Sequence, residues 1–322
     1  MKKILITGAA GFIANNLIRR CYELGYSIYT IDKLKIQDHE LSSIITHEYV
    51  CDIRDFCELN NIFETVSPDF VIHLAARTDL DGVLLEDYSS NTDGVDNVCR
   101  AIISSTSIKS VVFASSMLVC DVGYYPKDIF DFCPTTVYGH SKVESEKIIR
   151  KYHNKLPKYC IVRPTSIWGP FFREPYRNFF DLIKAKKYFN IKNNRVEKTY
   201  GYVENTVNQL LSLLVCDKDL SMTLINLGDS ESMKINKWAN SISECFHSKP
   251  VLEFPYVVFI MLAKLGDFLK YFSVRFPMTT FRLKNMTTNN VLDCSIAVNT
   301  NQYHEISITD GVHRTTHWLN KN

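Results

Sequence analysis

Short apolar runs alternate with helical patterns along the first half of the chain. The continuous hydrophobicity of strands buried on both faces recurs at Lys3–Thr7, Ser27–Ile31, Glu48–Cys51, Phe70–Leu74, Ser110–Ser115 and Tyr159–Val162. Stretches with the spacing of amphipathic helices separate these runs near 12–24, 56–65, 84–105 and 138–153. Because strands that alternate with helices form parallel sheets, this order predicts an α/β fold with a doubly wound parallel sheet.

The pattern changes after Arg163-Pro164, where aromatic residues and prolines cluster up to residue 180. The later elements are predicted as helices near 176–187 and 204–215, short strands near 188–191, 196–203 and Thr223–Leu227, and mainly helices over 235–322. We therefore predict two units: residues 1–164 with the sheet, and residues 165–322 as a smaller lobe that faces the substrate. The boundary between the two units is approximate, because a strand from the second half can join the sheet of the first.

The most apolar later segment runs from Tyr256 to Ala263. It is far shorter than the about 20 residues that cross a bilayer. Helical spacing continues through Leu265, Phe268, Leu269 and Phe272. A helix packed in the C-terminal region is the first interpretation, and a contact with a membrane surface or a second copy is the alternative.

Composition and charge narrow the possible classes of protein. The chain has 322 residues, of which 46% are hydrophobic and 22% charged, as in ordinary globular proteins. Its net charge of +2, from 37 basic and 35 acidic residues, argues against a dedicated nucleic-acid surface. The ten cysteines form no CxxC pair and no zinc-spaced cluster, so we predict no metal site and reduced thiols in a cytoplasmic protein. The first apolar run stops at Thr7, which indicates a strand and not a secretion signal.

A glycine turn follows the first predicted strand, in the sequence Thr7-Gly8-Ala9-Ala10-Gly11-Phe12-Ile13-Ala14. Gly8 suits the tight turn, and Gly11 lets the backbone approach a pyrophosphate. The helix that begins at Phe12 and Ile13 offers free N–H groups and the positive end of its dipole to phosphates. Between a strand and a helix, this pattern predicts a dinucleotide cofactor.

An acidic residue, Asp32, ends the second predicted strand. A carboxylate at this distance from the turn, about 20 residues, accepts hydrogen bonds from the adenosine ribose and repels a 2′-phosphate. It therefore favours NAD over NADP, although Lys33 and Lys35 follow closely and weaken the preference.

Two further strand ends carry residues suited to the cofactor. Asp52 and Ile53 follow the third strand and can meet the adenine amino group and ring, although Asp52, like Asp55, is also placed to cap the next helix. Leu74-Ala75-Ala76 ends the fourth strand, and its small alanines let a dinucleotide lie against the strand end. His73, just before them, is interpreted as a packed core residue.

The pair Tyr138 and Lys142, within Tyr-Gly-His-Ser-Lys, lies one helical turn apart on one face. An ammonium favours phenolate, so we expect Lys142 to lower the pKa of Tyr138 towards neutrality and to bind the nicotinamide ribose. Ser116 ends the fifth strand at the same edge of the sheet. We expect it to orient the substrate oxygen and stabilise charge there, while Tyr138 exchanges a proton with the substrate hydroxyl.

These features together resemble the extended short-chain dehydrogenase/reductase family, in its branch of NAD-dependent nucleotide-sugar epimerases and dehydratases. The resemblance covers nearly the whole chain and rests on the glycine turn, Asp32, Asp52-Ile53, His73-Leu74-Ala75-Ala76, Asn91, Ser115-Ser116, Tyr138 to Lys142, Arg163-Pro164, Tyr202-Val203-Glu204-Asn205 and Gly311 to Trp318. It implies a Rossmann-type domain with a smaller C-terminal substrate-binding lobe, bound NAD and often a homodimer. It also implies that Ser116, Tyr138 and Lys142 are catalytic, and that Asn91, Ser115 and Pro164 belong to the cofactor site.

Two departures from the family pattern carry information. The family's 4,6-dehydratases place an Asp-Glu pair after the catalytic Ser or Thr, whereas Met117 and Leu118 here cannot move a proton, which disfavours dehydration. An arginine that often binds the nucleotide diphosphate is replaced by Lys198, which supplies charge without the forked donor geometry. Arg195 or Arg173 can take that role instead.

Three functions follow from this reasoning. The first is an NAD-dependent 4-epimerase of a nucleotide sugar, which works through a transient 4-keto intermediate. The second is an NAD(P)-dependent ketoreductase or dehydrogenase of a nucleotide sugar, and the third is a non-catalytic NAD-binding sensor or scaffold. The substrate pocket is predicted to draw on Ser116, Tyr138, Asn178, Lys198, Phe171, Phe172 and the segment 188–204.

Overall fold

A computed structural model describes residues 1–174, 176–272, 274, 276 and 278–321, and for Lys270 and Phe281 the backbone alone. The strands are β1 (Lys3–Thr7), β2 (Ser27–Asp32), β3 (His47–Val50), β4 (Phe70–His73), β5 (Ser110–Ala114), β6 (Lys158–Pro164), β7 (Ser166–Trp168), β8 (Asn190–Ile191), β9 (Glu197–Lys198), β10 (Tyr200–Tyr202), β11 (Ile225–Leu227), β12 (Met233–Lys234) and β13 (Glu253–Phe254). The helices are α1 (Phe12–Glu23), α2 (His39–Ser43), α3 (Phe56–Val66), α4 (Ser89–Ser104), α5 (Val137–Lys151), α6 (Tyr176–Lys184), α7 (Val203–Val215), α8 (Ile235–His247), α9 (Tyr256–Tyr271), α10 (Thr280–Thr287), α11 (Ser295–Thr300) and α12 (Ile308–Lys321).

Seven parallel strands form the central sheet, in the order β11-β6-β5-β4-β1-β2-β3. The chain builds outward from β1 to β3 and then crosses back to continue from β4. The junction of β1 and β4 is therefore the switch point at which open α/β sheets bind their ligands. The predicted doubly wound parallel sheet is confirmed.

Helices cover both faces of this sheet, and the strands are apolar on both sides for that reason. Ile4 and Ile6 of β1 belong to the core that α1, α7 and α11 cover. Leu5, between them, belongs to the opposite core beneath α3, α4 and α5. Side chains of a strand alternate between faces, so one short apolar run supplies both cores.

The second half builds a separate aromatic core. Trp168 of β7, Phe180 of α6 and Trp238 of α8 are fully buried in it, with α12 packed alongside. The rings of Trp168 and Trp238 lie 5.2 Å apart. β11, although it follows residue 164, pairs with β6 at the edge of the central sheet. The division of the chain at residue 164 stays a prediction.

Local side chains explain where the predicted elements differ from those observed. The helix predicted over 84–105 is divided into a one-turn helix, Leu85–Tyr88, and α4. The Asp87 carboxylate accepts hydrogen bonds from the N–H groups of Val83 and Leu84, at 2.8 and 3.0 Å, and so starts the short helix separately. The strand predicted over 196–203 is two strands, because β9 pairs with β12 and β10 pairs with β7.

The apolar segment near residue 260 forms α9. Its residues Phe259 and Ala263 are buried against Ile191 and against Leu283 of α10, which agrees with a helix packed in the C-terminal region. Within the described ranges, every helix is too short or too polar to cross a bilayer.

Candidate active site

The glycine turn lies between the end of β1 and the end of β4. The Gly8 N–H group donates to the carbonyl of Ile31 at 2.8 Å, and the Gly11 N–H group donates to that of Gly8 at 3.0 Å. Gly8 has a φ of +75°, and a Cβ there would lie 2.6 Å from the backbone nitrogen of Ala75. The turn therefore requires glycine at position 8 for its conformation and for the close approach of β4.

Asp32 is held over this turn. One carboxylate oxygen accepts a hydrogen bond from the Ala10 N–H group at 3.0 Å, and the other accepts one from Leu34 at 2.9 Å. The side chain predicted to bind the adenosine ribose is thus fixed beside the phosphate-binding turn.

The residues around the turn fit a dinucleotide. α1 begins at Phe12 and Ile13 after Gly11, no side chain caps it, and its first turn contains no acidic residue. Its leading N–H groups and positive dipole end therefore suit a pyrophosphate, with Asp32 placed for a ribose. The strand-end segment Leu74-Ala75-Ala76 is partly buried and small at two positions.

His73, which precedes this segment, is buried in the core. The Thr7 hydroxyl is hydrogen-bonded to His73 Nδ1 at 2.7 Å and accepts from the Ala75 N–H group at 3.2 Å. Burial, together with the charge of Lys142, lowers the pKa of His73 to about 3, so its ring is neutral at physiological pH.

The next predicted cofactor residues, Asp52 and Ile53, follow β3. The Asp52 carboxylate forms a bidentate pair with Arg54, with contacts of 3.0 to 3.1 Å to Nε and 2.6 Å to Nη2, and this pairing lowers the pKa of Asp52. Asp55, and not Asp52, caps α3 by accepting from Glu58 at 3.1 Å. Ile53 is buried against Gly94 of α4. An adenine role for the pair stays a prediction.

Asn91 ties the loop after β4 to the helix that carries the tyrosine. Its side chain accepts from the Arg77 N–H group at 2.8 Å and donates to the Arg77 carbonyl at 2.9 Å. It also donates to the Ser141 hydroxyl at 2.9 Å, and Ser141 donates to the Tyr138 carbonyl at 2.7 Å. Asn91 is fully buried, so its described contacts indicate a positioning role beside the cofactor site.

Ser116, Tyr138 and Lys142 are brought together at the end of β5. All three are buried, and the Ser116 hydroxyl lies near enough to Tyr138 to lower the pKa of that phenol in part. Lys142 Nζ donates to the Ala114 carbonyl at 2.7 Å, which holds the helix face against the strand end. The structure thus assembles the predicted catalytic set next to the switch point, and its role in catalysis stays a prediction.

The expected direction of the tyrosine pKa is wrong for this structure. Burial raises the pKa of Tyr138 to about 12, and the hydrogen bond from Ser116 only partly opposes it. Burial also lowers the pKa of Lys142 to about 8, against the opposing charge of Glu146. The desolvation of both groups outweighs the helical spacing that suggested a phenolate near neutrality.

A buried charge network joins α5 to the ends of β5 and β6. Glu146 is fully buried and accepts hydrogen bonds from the Ser115 hydroxyl at 2.7 Å and from Arg163 at 2.8 and 2.9 Å. Arg150 approaches the same carboxylate at 3.2 Å. Ser115, predicted at the cofactor, therefore has its hydroxyl directed to Glu146, and Pro164 ends the strand that carries Arg163.

Lys198 lies on β9, in the second half of the chain. Its ammonium donates to the Asn285 side chain at 2.9 Å, and burial lowers its pKa to about 8. The backbone beside it bridges to Asn290, whose amide contacts the sulfur of Met117 at 3.8 Å. These contacts link Lys198 to the residue that follows Ser116.

The other predicted substrate residues lie elsewhere in the lobe. Asn178 is half-buried on α6, and among the described contacts none joins it to Ser116 or Lys198. Phe171 and Phe172 pack on Trp318 of α12, with ring distances of 5.4 and 6.1 Å.

The arginines considered as substitutes for Lys198 do not share its position. Arg173 donates to the Ala10 carbonyl at 3.2 Å, beside the glycine turn. Arg195 is exposed.

Glu146, Asn285 and Asn290 were not among the residues predicted for the site. A signal for Glu146 was present, because it continues the four-residue spacing of Tyr138 and Lys142 on one helix face. The two asparagines come from the far end of the chain, and no local pattern marks them.

Comparison with known proteins identifies the family. Residues 4–228 match the model of the NAD dependent epimerase/dehydratase family. The chain belongs to this family. The predicted family is therefore confirmed, and with it an enzyme of the extended short-chain dehydrogenase/reductase type whose cofactor is NAD.

Similarity to individual relatives and to solved structures extends over most of the chain. The N-acetyl-α-D-glucosaminyl-diphospho-ditrans,octacis-undecaprenol 4-epimerase of Escherichia coli O157:H7 is 24% identical over 320 residues, 97% of this chain and 93% of that protein. The UDP-glucuronate 4-epimerase of Thermodesulfobacterium geofontis is 26% identical over 71% of this chain and 75% of its own. The fold matches the UDP-glucuronic acid 4-epimerase of Bacillus cereus, crystallised with UDP-glucuronic acid and NAD, with a TM-score of 0.75, 19% identity and 99% of each chain covered.

The close approach at Gly8 predicts a large loss of stability for Gly8→Ala. Gly25 has nearly the same φ, +73°, but a Cβ there would meet nothing within 4 Å. Gly25→Ala should therefore show only the left-handed conformational cost, about 1–2 kcal/mol. Gly8→Ala should lose at least about 2 kcal/mol more, because the β4 backbone must move. Urea unfolding of the two variants measures the difference, and equal losses would contradict the close approach.

The lowered pKa of Lys142 predicts a stability that depends on pH. Between about 8 in the folded chain and 10.5 in the unfolded chain, only the unfolded chain holds the proton, so a rise in pH favours folding. Relative to Lys142→Met, the wild type should gain about 2 kcal/mol in free energy of unfolding between about pH 8 and about pH 9.5. Urea titrations at each pH measure this gain, and exposed Lys155→Met is the control. A pH-independent difference would contradict the burial of a titrating Lys142.

Proposed function

We propose that this protein is an NAD-dependent 4-epimerase of a sugar attached through a diphosphate, in the first instance a nucleotide sugar. The observation that carries the proposal is the buried group of Ser116, Tyr138 and Lys142 at the end of β5, with Met117 and Leu118 directly after Ser116. One proton-exchanging group serves a 4-epimerase, because the proton taken from the C4 hydroxyl is returned to the same oxygen. A dehydratase needs an additional acid and base, and these two side chains supply neither.

The chain's own residues provide the proton chemistry and the geometry. Tyr138 takes the proton of the C4 hydroxyl as the 4-keto intermediate forms, and donates it back when the hydroxyl is restored on the other face. Ser116 donates a hydrogen bond to the same substrate oxygen as its charge changes. Lys142 supplies the positive charge that a buried phenolate requires. When bound, NAD supplies the redox chemistry at C4, held by the Gly8–Ile13 turn and Asp32.

Lys198 suits the diphosphate that carries the sugar. Its half-buried ammonium has a neutral amide, Asn285, as its partner, and in the described part of the chain it forms no ion pair. A desolvated cation without a counter-ion gains most from an anionic ligand. Its link through Asn290 to Met117, the residue after Ser116, supports this assignment.

The names of the relatives support 4-epimerisation over the alternatives. The relatives from Escherichia coli and Thermodesulfobacterium geofontis both carry 4-epimerase names, and both name sugars linked through a diphosphate. A GDP-6-deoxy-D-talose 4-dehydrogenase of Aggregatibacter actinomycetemcomitans is also similar, but that similarity covers a smaller share of this chain, 52%. A ketoreductase or a non-catalytic sensor is therefore not favoured. A homodimer and a cytoplasmic location remain proposals, which gel filtration and cell fractionation test.

Tyr138→Phe should reduce epimerisation at least about 100-fold, because general acid–base groups contribute factors of about 10² to 10⁴. NAD affinity should stay within about twofold, since the ring remains and only its hydroxyl is lost. Formation of the epimer from UDP-, dTDP-, GDP- and CDP-sugars measures the change. Tyr152→Phe, at the end of the same helix, is the matched control. Retained activity in Tyr138→Phe would count against the mechanism.

Purified protein should release NAD on denaturation without any added cofactor. A 4-epimerase restores the oxidation state of its cofactor in each cycle and has no need to exchange it, whereas a dehydrogenase must exchange it. Enzymatic assay of the denatured supernatant should find close to one NAD per chain. Protein that is purified free of cofactor, and that converts added NAD⁺ to NADH as it oxidises a sugar substrate, would instead indicate the dehydrogenase.

A further inference from the structure

One face of α9 carries an exposed stripe of apolar side chains. Val257, Met261, Leu265 and Phe268 recur every three or four residues, and each is 46–62% exposed. Phe272 follows the helix, is similarly exposed, and packs on Phe268 with ring centroids 5.2 Å apart. At 100° per residue these positions lie within one narrow arc of the helix. A contiguous apolar row of this kind marks a binding surface, since soluble surfaces rarely expose one without use.

The helix is firmly seated, so the stripe is a property of the fold. Phe259 and Ala263, on the opposite face, are buried in the cluster with Leu283. Gly266 lies so close to the Met278 carbonyl that a Cβ would overlap its oxygen. The buried face fixes the rotation of α9, and this rotation directs the stripe away from the lobe.

The charge of this part of the chain differs from that of the rest. The segment 249–287, which contains β13, α9 and α10, has six basic and two acidic residues and therefore a net charge of +4, of which one charge, that of Lys284, is paired with Asp121 outside the segment. The whole chain has a net charge of +2, so the remainder carries −2. Lys264 is exposed on α9 between Met261 and Leu265. Apolar side chains with lysines beside them are the composition of helices that lie in the headgroup region of a bilayer.

We propose that α9 docks the protein on the surface of an anionic phospholipid bilayer, with Val257, Met261, Leu265 and Phe268 among the acyl chains and headgroups. The helix lies in the plane of the surface and does not cross the bilayer. A second copy of the chain fits this surface less well. In a two-fold interface the same patch meets itself, so two segments of net charge +4 would face each other. The negative potential of an anionic bilayer complements the segment.

The helix that carries the docking surface is connected to the predicted diphosphate site through one other helix. α10 packs against α9, and Asn285 of α10 is the hydrogen-bond partner of Lys198. A substrate whose diphosphate meets Lys198 would therefore bind in the same part of the chain as the docking helix. This consequence, unlike the docking itself, rests on the proposed function: it favours a sugar carried on a polyprenyl diphosphate within the bilayer.

Co-sedimentation with vesicles tests the docking without any assay of activity. The full chain should sediment with vesicles of phosphatidylglycerol and phosphatidylcholine, and bind more weakly to phosphatidylcholine alone and at higher ionic strength. The triple variant Val257→Ser, Met261→Gln, Phe268→Gln should bind the anionic vesicles at least tenfold more weakly. A matched control, Tyr22→Gln, Val50→Ser, Met222→Gln, removes apolar side chains of similar exposure elsewhere and should bind as the wild type does.

Three results would overturn the docking proposal: no sedimentation of the wild type with anionic vesicles, equal binding by the α9 variant, or equal loss of binding in the control. Conversion of a dimer to a monomer by the α9 variant, without vesicle binding by the wild type, would assign the stripe to a second copy. Circular dichroism and urea unfolding check that both variants fold.

Epimerisation assays separate this proposal from the proposed function. With a water-soluble UDP-sugar, the α9 variant should turn over within about twofold of the wild type, because the stripe is outside the catalytic set. With a polyprenyl-diphosphate sugar in vesicles, its rate should fall at least tenfold. Vesicle binding without epimerisation of any substrate would leave the docking supported and the proposed function refuted. Equal rates of both proteins in vesicles would refute the lipid-linked substrate.

Discussion

A buried carboxylate, that of Glu146, holds together the parts of the molecule on which the candidate chemistry depends. It projects from α5, accepts hydrogen bonds from Ser115 at the end of β5, and pairs with Arg163 near the end of β6. An ionised carboxylate removed from water is tolerated only with full hydrogen bonding and a counter-charge, and both are present here. The helix therefore has one position against the two strands. Lys142 and Tyr138, one and two turns earlier on the same face, share that position.

Much of the fold follows from local patterns that can be seen in the sequence. The run of Ile4, Leu5 and Ile6 indicates a strand covered on both sides, and its residues divide between the two cores. Gly8 and Gly11 indicate the turn because its backbone geometry requires them. The spacing of Tyr138 and Lys142 predicts a shared helix face from the helical period alone. Each inference needs only a few neighbouring residues, which is why it succeeds.

The features that escaped prediction depend on distant partners or on burial. Ser115 carries no local sign that its hydroxyl meets Glu146, 31 residues later. Lys198 meets Asn285, 87 residues away, through contacts that only the packing of α10 creates. The pKa of Tyr138 was expected to fall because its lysine neighbour is visible in the sequence, whereas the depth of its burial is not. Desolvation acts through the whole surrounding structure, and it reversed the expected direction.

The two carboxylate oxygens of Asp32 serve both the structure of the glycine turn and the predicted binding of the cofactor. Asp32 accepts a hydrogen bond from the Ala10 N–H group within the glycine turn, and it is the residue predicted to discriminate between the two nicotinamide dinucleotides. Cofactor preference and the rigidity of the phosphate-binding loop are therefore linked through the same atoms. An engineer who exchanges this carboxylate to admit a phosphorylated ribose would also free the loop, and would have to rebuild its support from a second residue.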